Sequence, residues 1–229
     1  ILGRQLLFLP YLNYIPVYFS PPDDPSRYFI FTTDQLGGPN GLLYSVVNMS
    51  LDNGRGDVES KNHPLVTPIC EKLTAVKHCN GKDYWVITHE WNSDAFYAYL
   101  VTAAGVSSIP VVSHAGRVVT GDPTHTVGYM KVSPDNKRLA IGHSMMGVDL
   151  FRFNSSNGVV SDGMELLNFD GDYLEVPYGI EFSPNSRKLY VSLNYADFND
   201  PNGMGIPAFK TAIWQRQFPT SLRRNRPCL

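Results

Sequence analysis

Val132-Ser133-Pro134-Asp135-Asn136-Lys137-Arg138-Leu139 returns 50 residues later as Phe182-Ser183-Pro184-Asn185-Ser186-Arg187-Lys188-Leu189. In each copy an apolar segment runs into a Ser-Pro corner, a polar turn follows, and a second apolar segment leaves it. Pro134 and Pro184 preset φ at the corner, and the Asp, Asn and Ser side chains beside them can bond the local backbone. The flanking segments, Val127 to Val132 with Arg138 to Gly142 and Tyr178 to Phe182 with Lys188 to Ser192, read as hairpin partners. A period near 50 built from such hairpins is the signature of successive β-propeller blades.

Two further copies appear once the turn chemistry is allowed to vary. Leu73 to His78 enters a turn at Cys79-Asn80-Gly81-Lys82, and Tyr84 to His89 leaves it; Asn-Gly is the strongest short hairpin signal. An aromatic-rich third strand and a glycine turn follow, Ala95 to Leu100 before Gly105 and Val148 to Phe153 before Gly158, with an earlier counterpart in Leu42 to Val47 before Gly56. The expected fold is therefore all-β, a β-propeller of four recognisable four-stranded blade units, read as a fragment of a larger propeller. The expected division is an atypical segment over 1–24, blades over 25–205 and a basic non-repeat tail over 206–229, since Lys210, Arg216, Arg223, Arg224 and Arg226 have no acid among them. The first residue is Ile rather than Met, which reads as a piece of something longer whose missing blades would be its partners.

Composition agrees. Of 229 residues 43% are hydrophobic, 12% aromatic and only 17% charged, as stacked sheets require. A net charge of −2 gives no ground for a nucleic-acid partner. No apolar run reaches membrane-spanning length, Ile1 to Ser20 being broken by Arg4, Pro10, Asn13 and Pro16, so membrane insertion is not expected. Nor does that stretch read as a signal peptide.

The chemistry-bearing residues are few. His89 and His143 end corresponding post-turn strands 54 residues apart, where the other copies have Thr33 and Leu193. On that register they occupy the same radius and height on adjacent blades. With Glu90 beside them and Trp91 as a stacking platform for a sugar ring, they form the candidate ligand site. One counterpart being leucine, no metal is expected there and no cofactor is assigned. Asp197, Asn199 and Asp200 form a weak calcium candidate, as does the turn Asp52-Asn53-Gly54-Arg55-Gly56-Asp57, although turns use the same residues for their own bonds. Cys70 and Cys79 flank one strand, too far apart for a mutual disulfide, and are expected as free thiols. There is no Gly-x-Ser-x-Gly elbow, phosphate loop or zinc-protease helix.

The run Glu71 to His78, with Asn80-Gly81 and Asp83 to Ser93, resembles the N-terminal propeller of large secreted proteins of Bacteroidota. Those proteins end in a gliding-motility-associated or type IX secretion sorting domain. The likeness extends over Tyr28 to Thr32, Gly41 to Met49 and Tyr178 to Pro184, about residues 25–200; the Ser-Pro turns are shared with lactonase-like and WD-repeat propellers. The resemblance implies a secreted or cell-surface location and no catalytic residues. The expected function is a non-enzymatic binding or display module with a protein or glycan ligand. The alternatives are a lactonase-like enzyme, which needs an acid–base cluster at residues such as His89, Glu90 and His143, and a spacer without ligand.

Overall fold

The computed structural model describes residues 16–169, 175–197 and 208–218. Four antiparallel sheets follow one another along the chain. The first contains β1 (Val17–Phe19), β2 (Arg27–Thr33), β3 (Leu42–Asn48) and β4 (Asp57–Val66). The second contains β5 (Ile69–Lys77), β6 (Tyr84–Glu90) and β7 (Ser93–Thr102), with its outer strand divided into β8 (Gly105–Val106) and β9 (Val111–Val119). The third is β10 (Met130–Val132), β11 (Arg138–His143), β12 (Gly147–Asn154) and β13 (Val159–Asn168), and the fourth is β14 (Glu175–Phe182), β15 (Lys188–Asp197) and β16 (Ala208–Gln217). Strand order follows chain order in each sheet, the meander of a propeller blade. Helix is confined, among the described residues, to three short 3-10 turns at Gln35–Gly37, Asp52–Gly54 and Pro123–Thr126. The fold is a β-propeller, with four blades among the described residues.

The repeated turns are built alike. Ser133 N donates to Arg138 O at 2.8 Å and Ser183 N to Lys188 O at 2.9 Å. The serine hydroxyls reach Asp135 Oδ1 at 2.6 Å and Asn185 Oδ1 at 2.8 Å, and those same oxygens accept from Lys137 N and Arg187 N. The next residue takes a left-handed φ, 57° at Asn136 and 58° at Ser186. The Asn-Gly turn follows the same plan: His78 N donates to Asp83 O at 2.8 Å, Asn80 Oδ1 accepts from Lys82 N, and Gly81 has φ 74°. Sequential turns also hold one another, Asn136 Nδ2 donating to Lys77 O at 3.3 Å and Asp135 N donating to Ser186 Oγ at 3.0 Å.

Adjacent blades meet through one apolar core per junction. Phe29, Phe31 and Leu42 pack with Val86, Tyr99 and Val101 between the first and second blades. Trp85, Ile87 and Phe96 pack with Met130, Leu139, Ile141 and Phe151 between the second and third, and Ala140, Val148 and Leu150 with Ile180, Leu189 and Val191 between the third and fourth. The central-strand residues Trp85, Val86, Ile87, Leu139, Ile141, Leu189 and Val191 are all buried, as strands covered on both faces must be.

Three expectations change. Residues 208–217, placed by composition in a basic tail, form β16 and pair with the whole of β15 from Lys188↔Gln217 to Asp197↔Ala208. Backbone pairing tolerates polar residues where a face is open, so composition was a poor guide there. Likewise β1 falls within the segment 1–24 and pairs with β2. Cys70 is a free, buried thiol as expected, but Cys79 is disulfide-bonded rather than free.

Candidate active site

His89 and His143 do not occupy equivalent positions. The turn bonds set His78 in register with Ser133, 55 residues on, and Ser133 with Ser183, 50 residues on. The counterparts of His143 are therefore Thr88 and Leu193, and His89 lies one residue off. In a strand one residue changes the face. His89 shares the face of Trp85 and Ile87, directed at the third blade, and His143 shares that of Leu139 and Ile141, directed at the second. The two imidazoles consequently face one another across the junction, ring centroids 6.2 Å apart and nearly perpendicular.

A bulge brings further charge to the same place. Ile69 pairs with Glu90 and Leu73 with Thr88, so Cys70, Glu71 and Lys72 together oppose the single residue His89. Bulges re-aim side chains where regular pairing would send them to alternate faces. All three residues are buried. Lys72 Nζ donates to His125 O at 2.7 Å, and Glu71 Oε1 accepts from Leu36 N at 2.6 Å, while Glu71 Oε2 is buried without a hydrogen-bond partner among the described residues. Cys70 Sγ lies 3.9 Å from His89 Nδ1, which itself donates to Glu90 O at 2.8 Å.

From the third blade, Asp149 lies between Val148 and Leu150 on β12 and is held in a bidentate pair by Arg117 of β9, both contacts 2.7 Å. Arg117 also donates to Met146 O at 2.8 Å, binding the Ser144–Met146 turn to the second blade. His143 Nε2 approaches Asp149 Oδ2 at 3.4 Å without hydrogen-bond geometry, and neither ring nitrogen of His143 has a hydrogen-bond partner among the described residues. Buried polar atoms are seldom left so, and an unmade bond marks strain, function or a site for water.

The electrostatics follow from burial. Desolvation pushes His143 down to about 4, with the Lys72 charge acting in the same direction against Asp149. Desolvation likewise holds His89 well below the ordinary histidine range, reinforced by His143 and Lys72. The Lys72 amine is lowered by its own desolvation. For Asp149, burial raises the carboxyl but the contacts of His143 and Arg117 outweigh it, so the net direction is down. The junction thus holds two neutral imidazoles beside an ionised Asp–Arg pair.

The other expected site residues fall elsewhere. Glu90 points away from His89, its Oε1 accepting from Tyr97 Oη at 3.1 Å. Trp91 is only 9% exposed and packs with Cys70, Val119 and Met146, its ring against Gly37, so it offers no open face for a sugar. Asn199 and Asp200 lie outside the described residues, as does the Asp197 side chain. The Asp52–Asp57 turn bonds itself, with Asp57 Oδ1 accepting from Val58 N at 2.7 Å. Among the described residues no three His, Cys, Asp or Glu side chains gather as metal ligands. Sequence reasoning missed Glu71, Lys72, Arg117 and Asp149 as site residues. The available signal was charge inside apolar strands, Glu71-Lys72 between Cys70 and Leu73 and Asp149 between Val148 and Leu150, where burial forces pairing.

No family model matches the chain and no curated protein matches it. Solved structures do. A protein of Bacteroides fragilis assigned as a 6-phosphogluconolactonase is 12% identical over 82% of this chain and 54% of its own, with a TM-score of 0.48. One of Bacteroides uniformis with the same assignment is 12% identical over 82% of this chain and 68% of its own, with a TM-score of 0.41. The periplasmic gluconolactonase of Pseudomonas aeruginosa is 14% identical over 89% and 58%, with a TM-score of 0.45. The chain thus spans 54 to 68% of the lengths of these proteins, and at such identities the likeness concerns fold alone. All three are named as lactonases, against the expectation of a non-enzymatic binding or display module, and that expectation does not stand.

Proposed function

We propose that the chain is a lactonase-like propeller hydrolase with its acid–base group at the junction of the second and third blades. The observation that carries this reading is the convergence of His89 and His143 there, with neither His143 ring nitrogen hydrogen-bonded among the described residues. Hydrolysis of a lactone needs a base for water, a positive environment for the developing oxyanion and an acid for the leaving alkoxide. His143 is neutral above about pH 4 and takes a proton from water as the water oxygen attacks the carbonyl carbon. The oxyanion forms near the charge of Lys72. Its collapse breaks the ring C–O bond, and the imidazolium returns the proton to the alkoxide, giving a hydroxy acid. Both histidines are 1% exposed, so the reaction requires the packing around them to open to the lactone.

The test is release of acid from gluconolactone at pH 6.5, compared with buffer alone, for the parent and for His143→Ala and His89→Ala. The parent accelerates ring opening, and removal of the base lowers the rate by about 10²–10⁴-fold with circular dichroism unchanged. A parent no faster than buffer sinks the reading. The disulfide at Cys79 is in keeping with an oxidising compartment, and with the secreted or cell-surface location, in a Bacteroidota protein with a type IX sorting domain, that the sequence resemblance implies. No helix among the described residues is long and apolar enough to cross a membrane.

A further inference from the structure

A neutral imidazole has one ring proton and two nitrogens to hold it, and the partner of either nitrogen decides which. At His89 the backbone decides. Its Nδ1 lies 2.8 Å from Glu90 O, and a carbonyl oxygen only accepts, so the proton is on Nδ1. At His143 a carboxylate stands in that role. His143 pairs with Gly147 and Ile141 with Asp149, so Asp149 is the diagonal neighbour of His143 on the face directed at the second blade, and no side chain on β12 stands directly opposite the ring. Asp149 Oδ2 lies 3.4 Å from His143 Nε2, the two side chains being 2% and 1% exposed. The carboxylate cannot turn away. Arg117 Nε holds Oδ2 and Arg117 Nη2 holds Oδ1, both at 2.7 Å, while Nη1 donates to Met146 O in the turn between the two strands. Burial raises the Asp149 carboxyl, but the contacts of His143 and Arg117 outweigh burial, and it is ionised.

We propose that Asp149, clamped by Arg117, is the positioning residue of His143: it keeps the imidazole proton on Nε2 and leaves Nδ1 as the nitrogen that accepts a proton. A lone pair directed at an ionised carboxylate across 3.4 Å of buried space is repelled, whereas an N–H there is attracted. The two histidines are then opposite tautomers, His89 basic at Nε2 and His143 at Nδ1. When Nδ1 of His143 takes a proton, the ring becomes an imidazolium with its Nε2–H still toward Asp149. The carboxylate offsets the new charge without itself gaining a proton. The part played in lactone hydrolysis rests on the function proposed above; the tautomer does not.

Nitrogen-15 NMR of the histidine side chains at pH 6.5 reads the tautomers, since correlations from the ring C–H protons separate a protonated nitrogen from a bare one. His143→Leu identifies the signals of that ring by their loss. In the parent, His143 carries its proton on Nε2 and His89 on Nδ1. Asp149→Asn keeps its amide oxygen on Arg117 and turns an N–H toward the ring, so the proton of His143 moves to Nδ1 and its two nitrogen shifts exchange. Gluconolactone hydrolysis then falls about 10⁴-fold, as a wrong tautomer costs a serine protease. Arg117→Met combined with Asp149→Leu leaves no charge unpaired and keeps the parent's circular dichroism. There the proton of His143 divides between both nitrogens, while His89 is unchanged in every variant. A parent whose His143 is protonated on Nδ1, or an Nε2 proton that persists undivided in both variants, overturns the proposal. A parent with the expected tautomers that opens no lactone sinks the hydrolytic function and leaves Asp149 as the residue that sets the tautomer.

Discussion

Acidification should loosen the junction between the second and third blades before it protonates Asp149. His143 titrates at about 4 in the folded chain and near 6.5 when unfolded. Between those values the unfolded chain binds a proton that the folded chain does not, so stability falls as pH falls through this window and recovers above it. A difference of about 2.5 units at 1.36 kcal/mol each corresponds to about 3 kcal/mol. His89 is displaced in the same direction and steepens the loss. Asp149 is displaced downward as well, below 3.8, so its contribution is intact throughout this range and is lost only at lower pH. Urea titrations from pH 7 to pH 4 measure the slope. His143→Leu, which installs the residue of the fourth blade's counterpart Leu193, should remove about one proton from it, about 1.4 kcal/mol per pH unit at its steepest. An unchanged slope in that variant, or a parent equally stable at pH 6.5 and 4.5, would refute the assignment of a buried neutral imidazole.

Two substitutions test the packing around that junction. Trp85→Ala empties a buried site where the indole Nε1 also donates to Ser155 O at 3.0 Å, and should cost about 3–5 kcal/mol in a denaturant titration; a loss under about 1 kcal/mol would show that the central strand is not core. Arg117→Met strands the Asp149 carboxylate, whose side chain is 2% exposed, and should cost about 3–5 kcal/mol, with much of the loss recovered in Arg117→Met combined with Asp149→Leu.

The parts of the fold that were legible in the sequence are those the repeat writes locally. Pro134, Asp135 and Asn136 must be what they are because the corner, the side-chain bond and the left-handed residue all belong to one turn, and the same holds at Asn80-Gly81. The apolar runs Trp85-Val86-Ile87 and Leu139-Ala140-Ile141 are legible because both faces of a central strand are covered. β16 was not legible: turn residues stand before it, at Asp200-Pro201-Asn202-Gly203 and Pro207, but Lys210, Gln215, Arg216 and Gln217 break any apolar run that would read as a blade strand. The disulfide at Cys79 was not legible either, since the spacing around one cysteine carries no trace of its pairing.

The candidate site was half legible, and the missing half has a single physical cause. Aligning His89 with His143 matches the last histidine of each post-turn strand, but the hydrogen bonds that close the two turns, each from residue i to i+5, set a step of 55 residues, not 54, and leave His89 one residue further along its strand. That one residue turns two side chains that would have stood in parallel on successive blades into a pair meeting across their junction. The second departure acts together with the first. Regular pairing would give His89 one partner on β5, whereas the bulge gives it three, Cys70, Glu71 and Lys72, and so places a lysine where the repeat alone would bury an apolar residue. The cluster exists because two blades break the repeat at the same junction, and its burial explains why both histidines are neutral. A hydrolytic base and an acid-sensitive joint are then two properties of the same imidazole: suppressing protonation in the folded state keeps His143 able to accept a proton from water, and it makes folding less favourable wherever the unfolded histidine is charged. A change that relieves the acid sensitivity by letting solvent in beside His143 should raise its pKa, whereas a change that removes the imidazole relieves the sensitivity and removes the base together.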